Sequence, residues 1–225
     1  MYELIIANKN YSSWSMRAWV LMRQLDIPFE ERLLRFGSVI FRQYTPSGRV
    51  PCLIDGGMRI WDTLAITEYL AERHAGIWPA DARARAWARS AAAEMHSGFA
   101  TLRNECSMSV GVRLRRHGIS TALQADLTRL TELWGDGLAR HGGPYLGGGE
   151  FSAVDAFFAP VATRVVTYGL PMPTQAATYV GRLLVVPAVK QWIAAGIAED
   201  FRDADHEGEI LSQGVLLADL RAPVA

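Results

Sequence analysis

Cysteine is scarce in this 225-residue chain, and neither sign of charge is in excess. The two cysteines, Cys52 and Cys106, lie in segments that read as a strand and a helix, which makes neither a disulfide framework nor a metal-binding spacing. We therefore expect no metal site and a reducing, cytoplasmic setting. Lysine plus arginine total 23 and aspartate plus glutamate total 23, so no global field draws the chain onto nucleic acid or an anionic membrane. No stretch approaches the roughly 18 consecutive apolar residues of a spanning helix. Residues Met1 to Ala7 lack the basic region and the long apolar run of an export signal, so none is expected. The five histidines, His74, His96, His117, His141 and His206, follow no ligand spacing. With nucleic acid, membrane and metal set aside, the expected partner is a small molecule recognised locally.

What is present is ample apolar material, 50% of the residues, in two different patterns. The first third alternates strand and helix. Tyr2 to Ala7 is an apolar run of strand length, a helix capped by Ser13 or Ser15 follows to Leu25, and a second strand covers Glu30 to Leu34. After a polar stretch with a short helix, Val50 to Ile54 and Met58 to Trp61 flank Asp55-Gly56-Gly57 and read as a β-hairpin, since Asp-Gly supplies the positive φ of a tight turn. Asp62 or Thr63 then caps a helix reaching about His74. From Ala82 onward long Ala-, Arg- and Leu-rich helical patterns replace strands. The expected domains are thus an α/β unit at 1–76, a linker at 77–81 and an all-α unit at 82–225. In the second unit Trp87, Ala91, Met95, Gly98 and Leu102 mark the core face of a first long helix. Further helices are predicted over about Thr121 to Arg140, Ala153 to Tyr168 and Pro187 to Ala198.

Three segments carry candidate chemistry, and each has a purely structural reading beside the functional one. In Asn10 to Arg17, the serines Ser12, Ser13 and Ser15 either cap the helix or donate a hydrogen bond to a ligand thiolate at the positive helix end. Lowering a thiol pKa by two units needs only about 2.7 kcal/mol of differential stabilisation. In Gly48 to Pro51, the proline either opens an edge strand in trans or, in cis, turns the Val50 main chain toward an extended peptide ligand. At Asp62-Thr63 the residues cap a helix, or Thr63 holds a carboxylate while Asp62 meets an ammonium group. Arg49 is a solvated cation or the partner of a second carboxylate. A fourth segment, Ser152 to Asp155, is a capping box preceded by Phe151, and its reading is structural.

In order and spacing, Ser12 to Arg17, Arg49-Val50-Pro51, Asp62 to Leu70, and Tyr145-Leu146-Gly147 followed by Phe151 to Asp155 resemble the glutathione transferase superfamily over nearly the whole chain. The resemblance implies a thioredoxin-like glutathione-binding domain followed by an all-helical domain, a homodimer, and glutathione S-transferase activity of the detoxification kind, with the thiolate added to a small electrophile. It further implies that Val50 precedes a cis-Pro51 and pairs through its backbone with the cysteinyl part of glutathione. Asp62 and Thr63 take the γ-glutamyl end, and Arg49 approaches the glycyl carboxylate. The serine-type members place the thiol-activating hydroxyl at Ser12, with Ser13 next; Tyr11 is a further candidate, because other classes use a tyrosine. Phe99, Arg103 and Met108 fall where the family builds its electrophile pocket. The loop looks most like zeta-like bacterial members, a class that includes maleylacetoacetate isomerases. Trp14 stands where the zeta loop has cysteine, however, and Arg164 falls about a turn before the zeta arginine, so a generic transferase is placed ahead of a glutathione-dependent cis–trans isomerase. A non-catalytic binding or stress-response module is the alternative from another class. The tail from 199 to 225 either packs back near the site or mediates contact.

Overall fold

The opening apolar run forms β1 (Tyr2–Ala7) in the computed structural model, which describes residues 1–37 and 40–221. The final residues of the expected helical domain and tail, 222–225, lie outside the described residues. Leu4, Ile5, Ile6 and Ala7 are fully buried, as befits a strand covered on both faces. The next elements are α1 (Ser13–Gln24) and β2 (Phe29–Leu34), the latter parallel to β1 from Tyr2 opposite Phe29 to Ala7 opposite Leu34. A short α2 (Phe41–Tyr44) leads to the hairpin of β3 (Cys52–Asp55) and β4 (Met58–Ile60), whose turn uses the positive φ of Gly56 and Gly57. The sheet order is β2-β1-β3-β4, with β3 antiparallel to β1. Asp62 caps α3 (Thr63–Ala71), its carboxylate accepting the Leu64 N–H. This is a thioredoxin-like α/β unit.

Ile77 and Trp78 are buried in the connection, where the Ile77 carbonyl accepts the Ala153 N–H. Asp81 caps α4 (Ala82–Ser97) by accepting the N–H groups of Arg83 and Ala84. Ala84, Ala88, Ala91, Ala92 and Met95 form its buried stripe. The apolar spacing predicts one helix running on through Leu102, but the chain breaks at Gly98, where a Cβ would stand 2.8 Å from the Glu94 carbonyl oxygen. Phe99 adopts a left-handed φ of 54° and α5 (Ala100–Glu105) starts afresh.

There follow β5 (Val112–Arg116), α6 (Thr121–His141), α7 (Ala153–Tyr168), α8 (Thr174–Val185), α9 (Pro187–Ala198), α10 (Ala204–Leu211) and β6 (Gly214–Asp219). The helical domain therefore also carries a two-stranded antiparallel ribbon, β5 with β6, where helices alone are expected. Its strands are about a hundred positions apart and have no connecting turn to announce them. The axis of the domain is α7, in which every residue but Val166 is buried. It packs on α1, α4 and α8. No single described helix is long and apolar enough to cross a membrane; α8 and α9 together approach that length but meet at 73°, with Tyr179, Leu183, Val189 and Trp192 in the core.

The two domains are tied at Asn10, whose side-chain oxygen accepts the Ser109 hydroxyl at 3.1 Å and the N–H groups of Val110 and Gly111 at 3.0 and 2.9 Å. Asn10 is fully buried. Asn10→Ala would remove the shared acceptor, leaving the Ser109 hydroxyl without a partner and the Val110 and Gly111 N–H groups with only their longer 3.3 Å bonds to the Asn10 carbonyl and Ser109 Oγ, and we expect it to lower the unfolding free energy by about 2 kcal/mol. A urea titration measures this as a lower midpoint at unchanged slope.

Candidate functional site

A cleft of about 800 Å³ opens between the loop before α1, the Pro51 turn and the head of α3 on one side, and α4, α5, α7 and α10 on the other. The Asn8 carbonyl accepts the N–H groups of Tyr11 and Ser12 at 3.1 and 2.9 Å, a turn that delivers Ser12 to the N-cap of α1. The cap is thus Ser12, one residue before the first of the two serines expected there. Its Oγ accepts the Ser15 N–H at 3.4 Å and donates to Ser15 Oγ at 2.7 Å, which also accepts the Ala7 N–H at 3.1 Å. Ser13 lines the cleft, and its hydroxyl has no hydrogen-bond partner among the described residues. Tyr11 is differently placed. Its hydroxyl donates to Glu207 at 2.7 Å, and burial together with that carboxylate pushes the phenol up to about 12. The proton of Tyr11 serves α10, not the cleft.

The Val50–Pro51 bond is cis, as the family resemblance implies. Pairing of β3 with β1 begins at Cys52, so Val50 stands outside the ladder, and Arg49, Val50 and Pro51 all line the cleft. Arg49 is exposed and forms no ion pair among the described residues. Asp62 also lines the cleft, with Oδ2 3.3 Å from His96 Nε2. Thr63 departs from expectation. It is fully buried, its hydroxyl donates to the Trp14 carbonyl at 3.3 Å, and it does not line the cleft. The hydroxyl expected to meet a carboxylate instead ties the serine loop to α3, leaving the Thr63 N–H at the helix end.

Of the residues expected on the helical side, Arg103 and Met108 line the cleft. Phe99 does not: the break at Gly98 turns its ring into the core. Arg103 Nη1 donates to the carbonyls of Met95 and His96 at 3.3 and 3.2 Å, and its guanidinium stands 5.6 Å from the Trp14 ring. Several wall residues escaped sequence reasoning. Arg164 Nε donates to the Cys106 carbonyl at 2.7 Å, and burial drives its guanidinium down to about 10. His96 packs edge-on against Trp14 at 5.1 Å, and burial, with Arg17 and Arg103 nearby, holds its imidazole below the ordinary histidine value despite Asp62. From the tail come His206, held by Asp203 at 2.7 Å, and Glu209, bonded by the Ser107 hydroxyl at 2.9 Å. Arg164 had one advance signal, its place about a turn before the zeta arginine; the histidines, which follow no ligand spacing, and Glu209 had none.

Both cysteines are buried, and burial raises each thiol to about 11, so neither offers a thiolate near neutrality. Among the described residues no cluster of histidine, cysteine, aspartate or glutamate is able to hold a metal ion.

Comparison with known proteins gives two family-model matches, to the glutathione S-transferase N-terminal domain over residues 11–73 and to the glutathione S-transferase C-terminal domain over residues 80–195. Dichloromethane dehalogenase of Methylorubrum extorquens is 38% identical over 65 residues, covering 25% of this chain and 23% of the relative. The same-named protein of Methylophilus leisingeri is 37% identical over 59 residues, covering 24% and 22%. The match thus spans less than a quarter of these curated relatives. Among solved structures, a glutathione transferase homolog from Burkholderia with bound glutathione superposes at a TM-score of 0.67, with 25% identity, 87% of this chain and 97% of that one. A theta class glutathione S-transferase from Xanthomonas axonopodis pv. citri with glutathione bound gives 0.64, at 21% identity, over 85% and 96%. At that identity the second likeness speaks to fold alone.

Proposed function

Because the chain belongs to the glutathione S-transferase family, we propose that it binds reduced glutathione in this cleft and adds the thiolate to a small electrophile. The observation that carries the reading is that Ser12 and Ser13, Arg49 to Pro51 and Asp62, from three sequence segments read separately, face one cavity. In this reading Val50 offers its backbone to the cysteinyl unit as a short added strand. Arg49 takes the glycyl carboxylate. Asp62 takes the γ-glutamyl ammonium, and the Thr63 N–H with the helix dipole takes the adjoining carboxylate.

The thiol then falls to the head of α1. Each serine hydroxyl has one proton to give. In the structure the Ser12 hydroxyl donates to Ser15 Oγ; when that bond reverses, with Ser15, already accepting from Ala7, donating to Ser12 Oγ, the proton of Ser12 is released toward the sulfur. Ser13 supplies a second donor. Hydrogen bonds to the ionised form favour it, so the thiol proton passes to solvent and the thiolate forms a C–S bond at the electrophilic carbon, as a leaving group departs with its bonding pair or, at a double bond, as the displaced π pair takes a proton from solvent. Ser15 touches no substrate and acts as a positioning residue. Homodimerisation, cytoplasmic residence and a detoxification role belong to the same reading, carried by the family.

Calorimetric titration with reduced glutathione across a pH series, with thiolate absorbance recorded on the same samples, tests the proposal. We expect binding, with thiolate forming about two pH units below the free thiol. Net consumption of glutathione with an electrophile distinguishes transfer from isomerisation, which returns the cofactor. Absence of binding at millimolar glutathione overturns the catalytic reading in favour of a binding module.

A further inference from the structure

Two guanidinium groups lie over Trp14, Arg17 from α1 and Arg103 from α5, and a third, Arg164 from α7, shares the cleft wall with Arg103 and is near enough for its charge to act on both. Arg17 is 1% exposed, and none of its three guanidinium nitrogens has a hydrogen-bond partner among the described residues. It lies between ring faces, 4.3 Å from the Trp14 centroid and 5.1 Å from that of Phe157. Burial, and then the charges of Arg164 and Arg103, hold it down to about 9. The acids around the cluster are already engaged. Asp62 accepts from Leu64 and contacts His96, Asp126 accepts the Leu102 N–H at 2.9 Å, and Glu209 accepts the Ser107 hydroxyl. Cys106 and Tyr168 are neutral neighbours, the phenol donating to the Ser107 carbonyl at 2.6 Å.

Burying an unpaired charge costs more than ring faces return, and placing like charges together adds to that cost. Such an arrangement is a standing attraction for an anion. Arg103 and Arg164 carry it to the cleft surface, while Arg17 supplies field from behind Trp14. In the glutathione pose proposed above the tripeptide does not use it, since its two carboxylates fall at Arg49 and at the head of α3.

We propose that this wall of the cleft is an anion subsite, and that the electrophile offered to glutathione carries a carboxylate held by Arg103 and Arg164. The subsite rests on the arginines alone; the electrophile half rests on the glutathione reading above.

Binding is tested first without glutathione, by calorimetry with 4-nitrobenzoate and its methyl ester. We expect the acid to bind at least tenfold more tightly than the ester, and Arg103→Met or Arg164→Lys to erase most of that preference. Equal affinity for acid and ester, or a preference unchanged in both variants, would overturn the subsite. So would direct competition between 4-nitrobenzoate and glutathione, which would assign the arginines to the tripeptide's own carboxylate. Turnover is then compared for 4-chloro-3-nitrobenzoate and its methyl ester with glutathione, each relative to its uncatalysed rate. The acid-to-ester ratio of kcat/KM should exceed ten in the unaltered protein and fall at least tenfold in Arg103→Met. Tight acid binding without glutathione binding would overturn the electrophile half and leave the anion subsite in place.

Discussion

Asp155→Ala should lower the unfolding free energy by about 4 kcal/mol, enough to threaten the fold of a domain of ordinary stability. The carboxylate is fully buried at the head of α7. It accepts the N–H groups of Leu146 at 3.1 Å and Ser152 at 3.0 Å, the Tyr179 hydroxyl at 2.8 Å and the Ser152 hydroxyl at 3.4 Å. Alanine removes the acceptor and leaves those donors buried with nothing to meet them. Tyr179→Phe removes a single donor and should cost about 1 kcal/mol, which keeps the comparison readable if the alanine variant does not fold. Urea unfolding of both variants supplies the numbers. The same residue sets a pH dependence. Burial raises its carboxyl to about 6, against the pull of its donors, whereas the unfolded chain loses this proton near the ordinary carboxylate value of about 4. Protonation therefore favours the fold between those values: the contribution is complete below about pH 4 and fades as pH rises through 6. The stability of the parent protein minus that of Asp155→Asn should fall across that window and be level above pH 7.

The second large effect is chemical. In a Ser12→Ala, Ser13→Ala double variant the thiol of bound glutathione should titrate about two pH units higher, a loss of about 2.7 kcal/mol, and turnover at pH 7 should fall roughly 100-fold. Glutathione affinity below the thiol pKa should change little, because the carboxylates and the ammonium are held elsewhere. Ser12→Ala alone also removes the cap of α1, at about 1 kcal/mol of stability. Ser15→Ala should raise the thiol pKa by about half a unit, and Ser15→Thr should restore it, if the Ser12 proton is freed by its neighbour. Thiolate absorbance against pH reads all four variants, and a double variant with full activity would falsify the serine mechanism.

How far the molecule could be read in advance depends on how local each signal is. β1, the Asp55-Gly56-Gly57 hairpin, α6, α7 and α9 are announced by their own periodicity and by caps within a few residues. α8 was hidden behind Pro171 and Pro173, although Ala176, Tyr179, Val180 and Leu183 carry the helical spacing of its buried face. The β5–β6 ribbon was hidden because neither strand holds its partner nearby. The loop before α1 and the Pro51 turn were legible as candidate ligand positions, since unusual backbone chemistry is written in single residues. The cationic wall was legible only at Arg103, which was expected in the electrophile pocket. Arg17 looks like any surface arginine in a helix pattern, and only the packing of α7 against α1 shows that it is sealed beneath Trp14 and Phe157. Thr63 and Phe99 illustrate the converse, residues of suitable type whose side chains are spent on structure.

The bond from Tyr11 to Glu207 joins positions 196 residues apart, and Glu207 is in turn held by Arg221 Nη2 at 2.9 Å. During synthesis the serine loop leaves the ribosome early, whereas the helix that roofs it is made almost a whole chain later. The first third therefore spends most of translation with this edge uncovered. The walls from α4, α5 and α7 come first, and the last wall of the cavity arrives only when α10 docks. The arrival of α10 is thus written into the site itself: a nascent or truncated polypeptide ending before α10 retains the serines and the Pro51 turn but lacks the wall that His206 and Glu209 provide.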